Sequence, residues 1–152
     1  MGEVLAIHIA SEAASPTVAI DAAHVVPGLG IEGDRTYLEA QRRGAAAKPE
    51  NEVTLIESEA LEALRRDYSI ELTGAESRRN LLTRGVALNH LVGRDFRVGE
   101  VTLHGIELCE PCGHLERLTK SGVVKGLLHR GGLRARIVAG GVIRPGDPIR
   151  PD

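Results

Sequence analysis

The amino-acid sequence predicts a mainly β fold with a few α-helices. Its 18 glycines are spread along the chain and separate short runs rich in Val, Ile and Leu, which is typical of short strands joined by tight turns. Only one segment has the apolar spacing of a long helix. The chain has 152 residues, the usual size of one domain, so we expect a single domain over residues 1–152.

The first half of the chain predicts strands around a glycine-rich loop. Residues 4–10 predict a strand, and residues 17–21 and 24–26 predict a second, interrupted strand. The loop follows at residues 28–35, and residues 53–56 predict a short buried strand. The long helix comes next, with Ser58 as its expected N-cap. Its apolar face is formed by Ala60, Leu64 and Tyr68 at four-residue spacing, continuing from Ile56.

The second half predicts a hairpin and a late strand. Residues 87–92 suggest a helical turn, and residues 96–98 and 101–109 predict a hairpin. The apolar alternation of its second arm changes phase at Gly105, so we expect a β-bulge there. Residues 115–119 predict a short helix, and residues 133–138 alternate as a strand, before a glycine turn at 140–141 that leads into Val142 and Ile143.

Composition argues against several classes of function. The net charge is −2, and the aromatic residues are one phenylalanine and two tyrosines, so we expect no binding of nucleic acid. No run of 18 apolar residues predicts a membrane span, and the first ten residues do not resemble a signal peptide. We therefore expect a cytoplasmic protein with no membrane partner.

The segment from Cys109 to Cys112 has the spacing of a reactive cysteine pair. It follows a predicted strand and precedes a predicted helix, where the helix dipole favours a thiolate. A thiolate can act as a nucleophile, a disulfide partner or a soft metal ligand. Two buried, inert cysteines are an alternative. Structural zinc would need a second ligand pair, and thioredoxin-like chemistry would need an alternating strand–helix pattern; the sequence has neither.

Basic residues form a second candidate group. Arg78 and Arg79 precede Asn80, and Arg134 and Arg136 share one face of the late strand. Arg35 ends the glycine-rich loop, which lacks the pattern of a phosphate-binding P-loop. Guanidinium groups bind phosphate and carboxylate with two parallel hydrogen bonds, so these residues could line an anion pocket. Solvated surface arginines are the alternative.

Several motifs occur in an order that resembles the MOSC domain, named for the C-terminal domain of molybdenum cofactor sulfurases. They are GIEGDR at residues 30–35, SRRNL at 77–81, LVGRDFRVG at 91–99, EPC at 110–112, GLRAR at 132–136 and GGVIRPGD at 140–147. The chain is similar to the short, stand-alone bacterial members. The resemblance implies a mostly antiparallel barrel of the pyruvate-kinase β-barrel-like type, closed or partly open. It also implies one important cysteine, which corresponds to Cys112; Cys109 has no counterpart in the pattern. Relatives often have His where this chain has Thr36.

The residues and the resemblance together leave three candidate functions. In the first, the chain binds molybdenum cofactor (molybdopterin) with Cys112 as catalytic residue and metal ligand, and reduces N-hydroxylated or related N–O compounds. The cofactor's phosphate would be bound by Arg35, Arg78, Arg79, Asn80, Arg134 and Arg136. In the second, Cys112 carries a persulfide for sulfur transfer. In the third, the domain is a non-catalytic module that binds an anion or a partner. The expected partners are a small-molecule cofactor or substrate and a redox or sulfur-donor protein; the family is also associated with pyridoxal phosphate binding.

Overall fold

The computed structural model describes residues 2–152 of the chain. The strands, in chain order, are β1 (Gly2–Ile9), β2 (Val18–Ile20), β3 (Ala23–Val26), β4 (Gly30–Ile31), β5 (Val53–Glu57), β6 (Leu81–Arg84), β7 (Asp95–Val98), β8 (Val101–Leu108), β9 (Leu133–Ala139), β10 (Gly141–Ile143) and β11 (Pro148–Pro151). The helices are α1 (Arg35–Arg43), α2 (Ser58–Tyr68), α3 (Gly74–Ser77), α4 (Gly113–Leu118) and α5 (Val123–Gly126). Two 3-10 turns cover Pro49–Asn51 and Leu88–Leu91. None of the helices among residues 2–152 is both long and apolar enough to cross a bilayer.

Seven strands close into a barrel. The large sheet has the order β11-β7-β8-β9-β5-β6-β1-β2, and β1 pairs with β11 as well, so the sheet closes on itself. Strand β2 extends the far end of β1. Neighbouring strands are antiparallel except β5 and β6, which run parallel and are connected through α2 and α3. A small antiparallel sheet of order β10-β3-β4 lies beside the barrel. The predicted mainly β, mostly antiparallel barrel is therefore confirmed.

Aliphatic side chains fill the barrel, as the shortage of aromatic residues requires. Phe96 is the one large ring among them and is fully buried. A second apolar cluster joins α2 to α4 and α5 on the outside of β5, through residues such as Leu64, Leu115 and Leu127. This cluster fixes the two short helices that follow the cysteine pair.

The hairpin and its bulge form as the sequence predicts. Strands β7 and β8 pair across the turn at residues 99–100, and the register of β8 against β9 shifts between Gly105 and Glu107. The backbone at Leu91 passes so close to Gly105 that a Cβ atom there would lie 2.1 Å from the carbonyl oxygen of Leu91. The bulge thus occurs where two backbones touch and no side chain fits.

The helices differ from the sequence prediction in several respects. Helices α1, α3 and α5 lie in segments where the sequence predicts no helix, and α1 starts at Arg35, the last residue of the glycine-rich loop. Helix α2 begins at Ser58 itself, because the preceding Glu57 remains extended at the end of β5 and takes the N-cap position. Ile56 belongs to β5 rather than to the helix face, and Tyr68 is 40% exposed.

Glu52 is a buried carboxyl that ties three parts of the barrel together. It is 3% exposed, and its Oε1 accepts the N–H groups of Gly28 at 3.2 Å and Ile137 at 3.1 Å. Burial raises its pKa above the ordinary value, an effect that the two N–H groups and the charge of Arg136 oppose. The pKa of Glu52 is higher in the folded state than in the unfolded state, so the protonated carboxyl stabilises the fold. This stabilisation is fully present below the unfolded pKa of 4.5 and is lost as pH rises through the folded pKa.

We expect Glu52→Gln to keep both hydrogen bonds through its amide oxygen and to be at least as stable as wild type at pH 7. Glu52→Ala should lower the free energy of unfolding by about 1–3 kcal/mol, since it leaves one buried and one partly buried N–H group unpaired. Urea unfolding of the three proteins between pH 4.5 and pH 8 measures this. The advantage of the Gln variant over wild type should shrink toward acid pH; equal losses for Gln and Ala at pH 7 would contradict this view.

Candidate functional site

A cavity of about 240 Å³ opens where the end of β1, the start of α1 and the cysteine turn meet, and we call it the thiol cavity. Its walls combine residues from six separate stretches of the chain. They are His8, Ala10, Ala13, Thr17, Asp34, Arg35, Thr36, Asn51, Thr54, Arg78, Arg79, Asn80, Cys109, Glu110, Cys112, His114, Leu115 and Arg134. All but one of the site residues predicted from the sequence are in this set.

The two cysteines lie in different environments. Cys109 is 2% exposed, and its N–H donates to the carbonyl oxygen of Gly132 at 2.7 Å. Cys112 is exposed at the cavity mouth, in the N-cap position of α4, and both thiols are free. Between them Glu110 turns its carboxylate to His129, accepting from its N–H and contacting its Nδ1, each at 2.7 Å. Cys109 is therefore buried, as one alternative expected of both cysteines, whereas Cys112 is the accessible thiol.

Arg79 holds the cysteine turn in place. Its Nε donates to the carbonyl oxygen of Gly131 at 2.8 Å, and its Nη2 donates to those of Cys109 at 3.1 Å and Glu110 at 3.4 Å. A planar guanidinium can make such a set of bonds from separate nitrogens, whereas an ammonium group donates from a single nitrogen. The positive charge of Arg79 is thus fixed beside the chain that carries Cys112.

Arg78 connects the cavity to the loop between β1 and β2. Its backbone has a positive φ of 61°, and its guanidinium donates to the carbonyl oxygens of Ser15 at 2.5 Å and Ala13 at 2.8 Å. Burial lowers its pKa, the charge of Arg35 lowers it further, and Asp34 opposes both effects. Two cations that affect each other therefore line the same cavity, an arrangement that an anion would stabilise.

The structure separates the two arginines of β9. Arg134 lines the thiol cavity and donates to the carbonyl oxygen of Glu50 at 3.2 Å and to Asn51 Oδ1 at 3.3 Å. Arg136 is exposed, lies outside the cavity and acts through its charge on Glu52. The two share a face of β9, but the rise of about 3.3 Å per residue carries the second one past the cavity.

Asn80 forms part of the cavity wall through bonds to two strands. Its Oδ1 accepts from the N–H of Thr54 at 3.0 Å and the Oγ1 of Thr54 at 3.2 Å, and its Nδ2 donates to the carbonyl oxygen of His8 at 3.1 Å. Its own backbone carbonyl accepts from the N–H of His8 at 2.7 Å. The amide is 8% exposed, so it positions the walls of the cavity.

His8 and Asp34 are two buried, titratable residues of the cavity that the sequence prediction does not assign to the site. Asp34 is 7% exposed, and its Oδ1 accepts from the N–H of Ala10 at 3.0 Å. Burial raises its pKa, against the effects of the Ala10 bond and of Arg35. His8 is also 7% exposed, and burial lowers the pKa of its imidazole. The one available signal was a lone histidine in the apolar run of β1.

A wider groove of about 690 Å³ adjoins the thiol cavity. The two share Ala13, Arg35, Thr36 and Asn51. The groove follows α1, whose Arg42 and Arg43 pair with Glu39 at 2.5 Å and 3.7 Å. Thr36 thus faces both spaces.

A family model described as the MOSC domain matches residues 42–150. The chain belongs to the MOSC domain family. The crystal structure of the YuaD protein from Bacillus subtilis is similar to this chain with a TM-score of 0.79 and 17% identity, over 98% of this chain and 94% of that chain. For YiiM from Geobacillus stearothermophilus the TM-score is 0.73 at 15% identity, over 100% and 75% of the two chains. For YiiM from Escherichia coli it is 0.69 at 18% identity, over 99% and 68%. These likenesses establish the fold, and no curated protein matches the chain.

The residues of the thiol cavity suit an anionic cofactor that brings its own metal. Four arginines line it against two carboxyls, of which Glu110 is engaged with His129 and Asp34 has a raised pKa. Within residues 2–152 no three His, Cys, Asp or Glu side chains gather as a metal site, and the exposed sulfur ligand of the cavity is the thiol of Cys112. Pyridoxal phosphate fits less well, because it bonds to a lysine and the cavity walls contain none.

Proposed function

We propose that this MOSC protein binds molybdenum cofactor in the thiol cavity, with the thiolate of Cys112 as a metal ligand. The observation that carries the proposal is the exposed Cys112 thiol at the mouth of a cavity lined by four arginines. A soft thiolate suits molybdenum, and guanidinium groups suit the phosphate of the pterin. The MOSC family is named after the sulfurase of that cofactor.

The residues of the cavity would divide the work of binding. Arg35 and Arg78 both line the cavity and would bind the phosphate, whose charge would relieve their mutual repulsion. Arg79 and Asn80 would hold the cysteine turn and the adjoining cavity wall in the binding geometry through their bonds to backbone groups. Arg134 would add positive charge at the edge nearest Asn51.

The reaction we propose is reduction of N-hydroxylated or related N–O compounds. When bound, the cofactor supplies two-electron redox chemistry at its metal. Reduction of an N-hydroxyl group to an amine and water consumes two electrons and two protons, so the proposal includes a redox partner protein as electron donor. The exposed cavity mouth leaves Cys112 accessible from solvent.

The proposal is tested by molybdenum retention. Wild type, Cys112→Ser and Cys109→Ala are incubated with freshly released cofactor, desalted and analysed for molybdenum per chain. We expect Cys112→Ser to retain about tenfold less metal or worse, because it removes a direct ligand. Cys109→Ala is the matched control: its thiol is buried and its bonds to Gly132 and Arg79 use backbone atoms, so it should retain metal like wild type. Equal retention by wild type and Cys112→Ser would overturn the ligand assignment.

The exposure of Cys112 also supports a second candidate, in which it carries a persulfide for sulfur transfer. A persulfide is a reversible modification of a reactive thiol, and a donor protein can reach a cysteine at the cavity mouth. Incubation with a cysteine desulfurase should then add about 32 Da to Cys112, the mass of one sulfur atom. Cys109 could resolve it as a disulfide only if the turn opened, since its side chain is buried. Anion binding that survives loss of both thiols, without metal or sulfur on the protein, would favour a non-catalytic binding module.

A further inference from the structure

The imidazole of His8 is a buried polar group with an unused bonding position. It is 7% exposed, lines the thiol cavity, and its Nδ1 is the one buried side-chain nitrogen or oxygen within residues 2–152 that lacks a hydrogen-bond partner. Buried polar atoms in folded proteins almost always have partners, and an exception calls for a specific reason such as a ligand. This group therefore marks a place where a bound molecule can complete the structure.

The backbone around His8 holds the ring where it is. Its N–H donates to the carbonyl oxygen of Asn80, and its own carbonyl accepts from Asn80 Nδ2, so this end of β1 is fixed on both sides. Against the ring lies Gly74, where an added Cβ would come within 3.3 Å of His8 Cε1. The side chain is thus packed tightly in the cavity wall.

The ring is neutral in a surrounding of charged groups. Burial lowers its pKa, so at neutral pH it has one N–H donor and one acceptor nitrogen. The charged groups of the cavity are the arginines, with Asp34 and Glu110 opposite in sign. The arginines therefore suit an anionic group of a ligand, whereas the neutral imidazole of His8 suits a hydrogen bond with an uncharged polar group.

We propose that His8 is a specificity-determining residue of the thiol cavity, which forms a hydrogen bond with an uncharged polar group of a ligand whose phosphate the arginines bind. The ligand class is a phosphorylated heterocycle, as opposed to a plain oxyanion. This deepens the proposed function, because it names how the cofactor cavity recognises the part of its ligand that is not phosphate. The adjoining groove, which shares Arg35 and Thr36 with the cavity, leaves room for a ligand longer than phosphate.

The test compares two probes, guanosine monophosphate and inorganic phosphate, on wild type and His8→Leu. Guanosine monophosphate joins a phosphate to a ring with uncharged donors and acceptors. Wild type should bind it about three- to tenfold more tightly than phosphate, as one neutral hydrogen bond predicts. His8→Leu should bind both probes equally, with phosphate affinity unchanged. Equal binding of the two probes by wild type, or a preserved preference in the variant, would overturn the proposal.

The stability of the variant separates a ligand role from a structural one. Leucine removes an unpaired buried nitrogen, so the ligand-free variant should melt at the same temperature as wild type or higher. A lower melting temperature would show that His8 supports the fold and would count against its role as a ligand residue. Molybdenum retention is measured separately. If wild type retains no molybdenum but still prefers guanosine monophosphate to phosphate, the cofactor proposal fails and the role of His8 stands.

Discussion

Gly132→Ala is expected to lower the free energy of unfolding by at least about 3 kcal/mol, combining backbone strain with a steric clash. Gly132 has φ of +124°, and a Cβ atom there would lie 2.1 Å from the carbonyl oxygen of Leu55. Relief would require β9 to move away from β5, where Leu55 pairs with Leu133. It would also disturb the bond from the N–H of Cys109 to the Gly132 carbonyl.

Gly146→Ala provides the matched control for this prediction. Gly146 has a comparable positive φ of +93° but no atom within 4 Å of an added Cβ. It should therefore cost only the backbone strain, about 1 kcal/mol. Urea unfolding of both variants gives the comparison. Equal losses would mean that the approach of β5 to Gly132 is not tight enough to matter.

Asn80→Ala is the second large effect, with an expected loss of about 2–4 kcal/mol in the free energy of unfolding, since it leaves one buried and one partly buried backbone group unpaired. These groups are the N–H of Thr54 and the carbonyl of His8, which the side chain of Asn80 joins across two strands. Thermal and urea unfolding measure the loss. Asn89→Ala is the control: that amide makes one exposed bond, to the carbonyl of His129, and should change stability by less than about 0.5 kcal/mol.

Asn80→Asp distinguishes the bonding of the amide from its shape. The variant keeps Oδ1 for Thr54 but places a second oxygen against the carbonyl of His8, near the buried Asp34. We expect it to be less stable than wild type at pH 7 and to recover in acid, where the new carboxyl is protonated and can donate. A variant as stable as wild type at pH 7 would show that the bond to His8 is unimportant.

The sequence predicts the hairpin of the barrel better than the helix beside the site. The bulge at Gly105 is visible as a phase change in the apolar alternation, because a strand's burial pattern is local. Helix α1 carries no such pattern, since only Ala40 of its nine residues is buried. The residues of α1 with high helix propensity are what remains to indicate a helix, and the glycines that precede them favour a loop instead. Barrel closure came from the resemblance to the family, because strand pairing across the whole chain leaves no local trace.

The candidate site shows the same division between local and distant causes. The Pro-Cys step marks Cys112 in the sequence, but the burial of Cys109 depends on packing against residues far along the chain. The motif GLRAR presents Arg134 and Arg136 as equivalent, and only the end of β9 near Asn51 faces the cavity. The position of His8 in the cavity wall depends on its bond with Asn80, and no pattern in the sequence of β1 predicts that bond.

The pairing of β1 with β11 sets how this barrel can fold. Gly2 lies opposite Ile149, so the last contacts of the closed sheet join segments separated by almost the entire described chain. Closing so long a loop costs entropy before any contact repays it, and folding rates fall as the mean sequence separation of contacts grows. The hairpin of β7 and β8 joins neighbours and can form early. We therefore expect slow refolding, in which an open sheet forms first on that hairpin and the pairing of β1 with β11 comes last.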